Sequence, residues 1–217
     1  MGFGSAGADD VFATRGLAKF VAALDGRESP VVVDLGAAVG ANVIFLGDRL
    51  GCKLHVADIL SKVETWWSPV DPSDESTEVD VAALEAERER RREARRLDHS
   101  SDSADGVLGW DVFDYLDNEA APALAREVIR VLKPGGMTFL CHGQEKRIVV
   151  GPVQYEILDD VTLRYRPLAM ARPEPRVWQS RPFTNLFAGL TISNSFLLTS
   201  RMREVVLRKP PSTASTG

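Results

Sequence analysis

The chain has 217 residues, 44% of them hydrophobic, and its 31 acidic and 26 basic residues give a formal net charge of −5. This length allows one substantial hydrophobic core and is short for two independent enzyme domains. The acidic balance argues against a broad surface for nucleic-acid phosphates and favours small molecules or proteins as partners.

The cysteines and the apolar stretches bear on the compartment. Cys52 and Cys141 lie in separate apolar stretches without metal-ligand spacing, so we interpret both as reduced core residues and expect no metal. No apolar stretch reaches the roughly 18 residues of a membrane span. The first ten residues lack the basic and apolar regions of a secretion signal. We therefore predict a cytoplasmic protein without membrane association.

The ends of the chain differ in composition from its middle. Residues 1–8 are rich in glycine and alanine, and residues 210–217 are rich in proline, serine and threonine, so both are predicted to be disordered. Residues 9–209 are predicted to form one domain. It begins with an amphipathic helix that Asp9 or Asp10 caps and that covers a sheet.

A strand, a tight turn and a helix follow in residues 29–50. Three valines at 31–33 predict a buried parallel strand, which ends at Asp34. The next residues, L-G-A-A-V-G, contain no large side chain at Gly36, Ala37, Ala38 or Gly40. In open α/β sheets ligands bind outside the carboxyl ends of the strands, and small residues let the backbone approach them. The turn is therefore a predicted ligand site.

A second strand over residues 53–57 ends at Asp58. A carboxylate at the tip of the neighbouring strand can accept hydrogen bonds from both hydroxyls of a ribose. An aspartate that caps the next helix is the alternative. Together, the turn and Asp58 favour a nucleoside-containing ligand.

Residues 62–80 break the pattern and are predicted to be a flexible loop. Its Trp66 and Trp67 either close over a ligand or pin the loop to the domain. In residues 81–96, glutamates interleave with arginines at helical spacing, which favours a solvated, salt-bridged helix over an anion site.

Strand character returns at residues 105–108, and acidic and aromatic residues follow at that strand's carboxyl end. A helix from Glu119 stops at K-P-G-G, residues 133–136, and a strand over residues 137–141 ends at His142.

These residues resemble the class I S-adenosylmethionine-dependent methyltransferases over about residues 31–143. The resemblance is carried by V-V-V-D-L-G-A-A-V-G, by the acid of H-V-A-D-I, by S-A-D-G-V-L-G-W-D-V-F-D-Y-L and, most specifically, by R-V-L-K-P-G-G-M-T-F-L. It implies an α/β fold, a Rossmann-like three-layer sandwich whose mostly parallel sheet has an antiparallel final strand. It also implies S-adenosylmethionine as the cofactor.

The resemblance implies roles for particular residues. Asp34 lies near the cofactor's amino group, the turn beside its methionine part, Asp58 on the ribose, residues 97–99 by the adenine, and Trp110 with Asp111 at the methyl group. The implied cofactor-binding residues are Asp34, Gly36, Ala37, Ala38, Gly40, Asp58, Asp98 and Trp110. Glu93 competes with Asp98 for the adenine. Two features depart from the family pattern: Ala38 replaces the middle glycine of G-x-G-x-G, and no clear third strand lies between Asp58 and Leu97.

Beyond Gly143 the resemblance implies a final antiparallel pair, residues 191–198 and 203–208. Residues 144–183 form a predicted substrate-side insertion, with Tyr155, Arg164, Tyr165, Arg166 and Trp178 as candidate substrate contacts. A β-hairpin that serves as structural cover or as a dimer surface is an equal alternative.

Methyl transfer from an activated sulfonium needs chiefly alignment, and a general base only when the acceptor is protonated. Asp111, Tyr115 and His142 are the candidate catalytic residues, although none forms a motif that marks a base. Neither N-P-P-Y nor D-P-P-Y, typical of nucleic-acid amino methylation, is present. The prediction is methyl transfer to a small-molecule acceptor. An inactive cofactor-binding or interaction module is the alternative, and a nicotinamide-dependent oxidoreductase is disfavoured because the loop lacks G-x-G-x-x-G.

Overall fold

The computed structural model of the chain describes residues 10–62, 86, 89, 95–144, 153–168 and 175–212. The strands are β1 (Asp10–Ala13), β2 (Val31–Asp34), β3 (Lys53–Val56), β4 (Ala104–Trp110), β5 (Leu132–Gly143), β6 (Val153–Asp159), β7 (Thr162–Pro167), β8 (Thr191–Leu197) and β9 (Met202–Arg208). The helices are α1 (Gly16–Leu24), α2 (Gly40–Leu50), α3 (Ala120–Val131) and α4 (Ser180–Asn185), with a 3-10 helix at Val112–Tyr115.

Several predictions from the sequence lie outside the described residues. These are the disorder of residues 1–8, residues 63–80 of the predicted loop with Trp66 and Trp67, most of the predicted salt-bridged helix over residues 81–96, including Glu93, and residues 213–217 of the predicted tail.

A six-stranded sheet in the order β3-β2-β4-β5-β9-β8 forms the centre of the fold. Strands β3, β2, β4 and β5 are parallel, whereas β9 runs antiparallel to both of its neighbours. This confirms the predicted mostly parallel sheet with an antiparallel final strand. Because β2 pairs with β3 on one side and β4 on the other, the chain order reverses at β2, the position where α/β folds open a ligand crevice.

Both faces of the sheet are covered, since neighbouring residues of a strand point to opposite sides. Val33 belongs to one apolar cluster, together with α3 and α4. Val32 belongs to a second cluster, which contains residues of α1, α2 and the β6-β7 hairpin. The result is the predicted three-layer arrangement, with most of the β2 side chains fully buried.

A second, three-stranded antiparallel sheet has the order β1-β7-β6. Its strand β1 corrects the prediction that Asp9 or Asp10 caps the first helix. Asp10 instead pairs with Tyr165 of β7, and α1 begins only at Gly16. The free edge of the hairpin takes up Val11 and Phe12, residue types that favour strands. This long-range pairing overrides the local helix-start signal.

The first turn of α1 is fixed by a glutamate from the other end of the chain. Glu204 of β9 is buried and accepts hydrogen bonds from Thr14 Oγ1 at 2.5 Å, Arg15 N at 2.9 Å and Gly16 N at 2.7 Å. The residue preceding the helix supplies no side-chain cap of its own. The carboxylate thus satisfies amide groups that a helix start leaves open and lies at the positive end of the helix dipole.

The K-P-G-G turn lies at the end of the central sheet where its parallel strands begin. Asp105 accepts hydrogen bonds from Lys133 Nζ at 2.6 Å, Arg27 Nη1 at 2.9 Å and Val31 N at 2.9 Å, which joins the starts of β2, β4 and β5. Burial opposes ionisation of this carboxyl, but these hydrogen bonds outweigh it and lower the pKa of Asp105. Gly135 has a φ of +78°, and its carbonyl accepts a further bond from Arg27 Nη2.

Within the described part of the chain, none of the helices has the length and apolar character needed to cross a membrane.

Glu204→Gln tests how much the α1 contact stabilises the fold. The amide loses the charge and can no longer accept all three bonds, so we expect the free energy of unfolding to fall by about 2 kcal/mol. Urea unfolding at neutral pH measures this. Glu28→Gln, at an exposed position, is the control and should change stability by less than about 0.5 kcal/mol. Equal midpoints for both variants would contradict the role of Glu204.

Candidate functional site

The predicted ligand turn lies where the carboxyl ends of β2 and β3 meet. The carbonyl of Asp34 accepts a hydrogen bond from Ala57 N at 2.7 Å, and that of Leu35 accepts one from Ile59 N at 3.0 Å. These bonds bring Asp58, whose φ is +43°, beside the turn. The structure therefore gathers Asp34, Gly36 and Asp58 at one edge of the sheet.

Asp34 is the buried carboxylate of this edge, with only 1% of its surface exposed. Its Oδ1 accepts hydrogen bonds from Gly36 N at 2.9 Å and from Trp110 Nε1 at 2.7 Å. Burial raises the pKa of Asp34 to about 6, the two hydrogen bonds oppose this rise, and the charge of Asp58 adds to it. A buried carboxylate without a cation beside it is costly to keep ionised.

The indole of Trp110 covers Gly36. A Cβ added at Gly36 would lie 2.5 Å from Trp110 Cδ1 and 2.9 Å from its Nε1, so a side chain at position 36 would collide with the ring. The indole also stacks on Tyr155, with ring centroids 5.1 Å apart and planes within 6°. Phe139 contacts it edge-on at 5.7 Å. Gly36 thus makes room for a side chain of this protein.

The β6-β7 hairpin is clamped to the same turn. Asn42, in the first turn of α2, donates from Nδ2 to the Tyr155 carbonyl at 2.9 Å and accepts from Ile157 N at 2.8 Å. Gln154 Nε2 donates to the Ala38 carbonyl at 2.8 Å. Neither Asn42 nor Gln154 was predicted from the sequence. The only signal for Asn42 was a polar residue on the apolar side of a helix.

The rest of the turn is open. Ala37 is half-buried, whereas Ala38 and Gly40 are exposed, and a Cβ at Gly40 would meet no atom within 4 Å. Ala38 is not among the residues with positive φ, so its side chain causes no backbone strain. The replacement of the family's middle glycine is therefore conformationally neutral.

Two residues of α3 anchor the loop at residues 97–99. Arg130 donates to the carbonyls of His99 at 2.6 Å and Leu97 at 3.0 Å, while Glu127 accepts from Leu97 N at 2.9 Å. Arg130 and Glu127 also pair with each other at 2.6 Å. The structure places Asp98 on this loop, with its side chain exposed. The arginine that opens the R-V-L-K-P-G-G signature thereby fixes the loop implied to contact adenine.

The three candidate catalytic residues, Asp111, Tyr115 and His142, are all buried. Asp111 precedes the 3-10 helix and Tyr115 ends it, and the helix is tied to the end of β5 by the bond from Gly143 N to Asp114 Oδ2 at 2.9 Å.

His142 stacks on Phe183, with ring centroids 4.2 Å apart. Neither ring nitrogen makes a hydrogen bond within the described part of the chain. Burial lowers the pKa of His142 to about 4, against a smaller opposing effect of the Gly143 backbone, and Arg203 adds to the lowering. The imidazole is therefore neutral at pH 7, and its burial disfavours protonation.

The five candidate substrate contacts each contact other residues of the protein. Arg164 and Arg166 both pair with Glu156, at 3.3 and 3.2 Å, within the hairpin. Tyr165 packs on Phe12. Trp178 donates to the Phe113 carbonyl at 3.2 Å, and Tyr155 stacks on Trp110 as described above.

Residues 33–140, about half of the chain, match the family model described as a methyltransferase domain. The chain belongs to the class I S-adenosylmethionine-dependent methyltransferases. Its cofactor is S-adenosylmethionine. No curated protein is significantly similar to this methyltransferase in sequence.

Solved structures share the fold at low sequence identity. The Burkholderia thailandensis 1,6-didemethyltoxoflavin-N1-methyltransferase, bound to 1,6-didemethyltoxoflavin and S-adenosylhomocysteine, is 17% identical with a TM-score of 0.51, over 90% of this chain and 76% of that one. The [4+2]-cyclase SpnF is 12% identical with a TM-score of 0.53, over 90% and 80%. The methyltransferase in the Haloferax volcanii complex with the Trm112 activator is 15% identical with a TM-score of 0.51, over 90% and 89%.

The residues at the turn fit S-adenosylmethionine, more directly at its ribose than at its ammonium group. Asp58 stands beside the open part of the turn, where a ribose needs a carboxylate. Asp34 offers a buried negative charge suited to an ammonium group, but the Trp110 indole now holds that oxygen.

Asp34 and His142 should give this methyltransferase opposite pH dependences of stability. The folded-state pKa of Asp34, about 6, lies above its unfolded value, so its contribution to the free energy of unfolding decreases as pH rises from 4 to 6. The folded-state pKa of His142, about 4, lies below its unfolded value, so its contribution increases between pH 4 and 6.5. Each effect is on the order of 3 kcal/mol.

Urea unfolding of single variants from pH 4 to 7 separates the two effects. Relative to the wild type, the free energy of unfolding of Asp34→Asn should rise across this range, and that of His142→Asn should fall. The double variant serves as the control and should follow the wild type. Profiles of the single variants that run parallel to the wild type would show that neither pKa is shifted.

Proposed function

We propose that the protein transfers the methyl group of S-adenosylmethionine to a small-molecule acceptor at the carboxyl edge of its central sheet. The observation that carries the proposal is the pair of carboxylates, Asp34 and Asp58, on adjacent strand ends beside a turn of small residues. The proposal treats residues 9–209 as one cytoplasmic domain.

In this proposal each part of the cofactor meets a different element. Asp58 accepts hydrogen bonds from the ribose hydroxyls, the loop of Asp98 lies along the adenine, and Asp34 pairs with the ammonium group. The exposed backbone at residues 38–40 approaches the methionine part. When bound, S-adenosylmethionine supplies an electrophilic methyl group, so the chain's main task is to align the acceptor with it.

The acceptor lies against the ends of β4 and β5, where the candidate catalytic residues are. Asp111, Tyr115 and His142, which is neutral at pH 7, are suited to orient the acceptor. Residues 176–178 close over this region through the bonds from Arg176 N to the Asp114 carbonyl and from Trp178 N to the Gly143 carbonyl, at 2.6 and 3.2 Å. Such enclosure favours a small acceptor. The net charge of −5 disfavours nucleic acid as the acceptor.

A second candidate is a cofactor-binding module without methyltransferase activity. The observation that favours it is the Trp110 ring over Gly36. A fold does not fix a reaction, and SpnF, of the same fold, is a [4+2]-cyclase.

Binding of S-adenosylhomocysteine, the demethylated product, tests the cofactor assignment. We expect the wild-type protein to bind one equivalent in isothermal titration calorimetry. Asp58→Asn should weaken binding by about tenfold or more, because charge-assisted hydrogen bonds to the ribose are lost. Asp48→Asn, at an exposed position of α2, is the control and should bind as the wild type. An unchanged affinity of Asp58→Asn would remove Asp58 from the site.

Turnover distinguishes the two candidate functions. The protein is incubated with methyl-labelled S-adenosylmethionine and a panel of small heterocyclic, phenolic and amine acceptors, and S-adenosylhomocysteine release is measured. We expect release above background with at least one acceptor class. Tight binding without release for any acceptor would favour the module without activity.

A further inference from the structure

We propose that Trp110 is a specificity-determining residue of the cofactor site: its indole N–H holds Asp34 in place of the cofactor's ammonium group, and binding exchanges one for the other. This inference rests on the proposed function. In this proposal Trp110 competes for Asp34 with the amino-acid part of the ligand and does not affect the nucleoside part.

The hydrogen bonds of Asp34 support the exchange. Trp110 Nε1 is the only side-chain donor to this carboxylate within the described part of the chain, and it reaches the same oxygen as Gly36 N, at 2.7 and 2.9 Å. When the indole leaves, Gly36 N remains the one donor to this oxygen among the described residues, so a donor supplied by the ligand compensates for the lost hydrogen bond. A ligand ammonium replaces the neutral N–H with a charged donor, which forms the stronger hydrogen bond.

The space around Gly36 supports it as well. The indole packs so closely on Gly36 that not even a Cβ fits between them. A ligand that approaches the backbone on this side must therefore displace the ring. In the proposed function the nucleoside end of the ligand lies against Asp58 and the loop of Asp98 and not against Gly36, so displacement of the ring leaves it unaffected.

The backbone of Trp110 is under strain in the present arrangement. Its φ is +45°, in the left-handed region that bulky side chains rarely adopt. Such a conformation persists only when its surroundings hold it, here the bond to Asp34 and the stack on Tyr155 at 5.1 Å. Asn42 and Gln154 hold the hairpin to α2 and the turn without Trp110, so the hairpin can stay while the indole leaves.

The affinities of two ligands for two proteins test the proposal. S-adenosylhomocysteine contains the amino-acid part, whereas 5′-methylthioadenosine has the same nucleoside and thioether without it. Trp110→Phe keeps an aromatic ring on Tyr155 but removes the N–H that holds Asp34. We expect calorimetry to show S-adenosylhomocysteine binding about tenfold tighter to this variant than to the wild type, with the affinity for 5′-methylthioadenosine unchanged.

Tryptophan fluorescence gives a second readout that does not depend on the size of the affinity change. S-adenosylhomocysteine should alter the emission of the wild-type protein as the indole leaves Asp34, and this change should be absent in Trp110→Phe. Circular dichroism and a thermal unfolding curve establish that the variant is folded.

The other outcomes overturn the proposal in distinguishable ways. Weaker binding of S-adenosylhomocysteine to Trp110→Phe would make the indole a direct ligand contact. Equal changes for the two ligands would place its effect on the nucleoside, and unchanged affinities would remove it from the site. In these cases the proposed function still stands. Absence of binding of either ligand to either protein would overturn both proposals.

Discussion

The arrangement of the site depends on a single requirement, that the carboxylate of Asp34 be satisfied while it is buried at the end of the central strand. Two donors meet this requirement, one from the turn and one from Trp110. The indole that supplies the second donor packs on Gly36, where a side chain would collide with it, and stacks on the ring of Tyr155. The hairpin that carries Tyr155 is in turn clamped by Asn42. One buried charge thus connects the turn, the strand β4 and the second sheet.

Two further carboxylates make this connection rigid from outside the site. Glu204 fixes the start of α1 and, through Thr14, the segment that follows β1, so the second sheet is attached to the first at both of its edges. Asp105, near the start of β4, joins the amino ends of β2 through Val31 N and of β5 through Lys133. Carboxylates with several donors are among the stronger polar contacts of a protein interior. They allow the carboxyl edge to carry polar residues without loosening the sheet.

Features that depend on neighbouring residues were predictable from the sequence, and features that depend on distant pairings were not. Local conformation was predictable from the valine run before Asp34, from the acid at position 58 and from the K-P-G-G turn. The structure contains the sheet that they imply. The strand at Asp10 was missed because its partner, Tyr165, lies far along the chain. The contact of Trp110 with Tyr155 was missed for the same reason. Ala38 looked like a departure from the family, yet it adopts no conformation that requires glycine.

An exchange of donors at Asp34 has a thermodynamic consequence that a permanently open site lacks. With the indole in place the carboxylate is satisfied before a ligand arrives, so neither state leaves a buried charge without a donor. The ligand then gains only the difference between an ammonium and an indole N–H, and its apparent affinity is reduced because only the fraction of molecules whose indole is already displaced can bind it fully. The nucleoside end is not subject to this reduction, because it lies against Asp58 and not against Asp34. Affinity in such a site arises mainly from the nucleoside, and the contact at Asp34 selects for ligands that carry a cationic group.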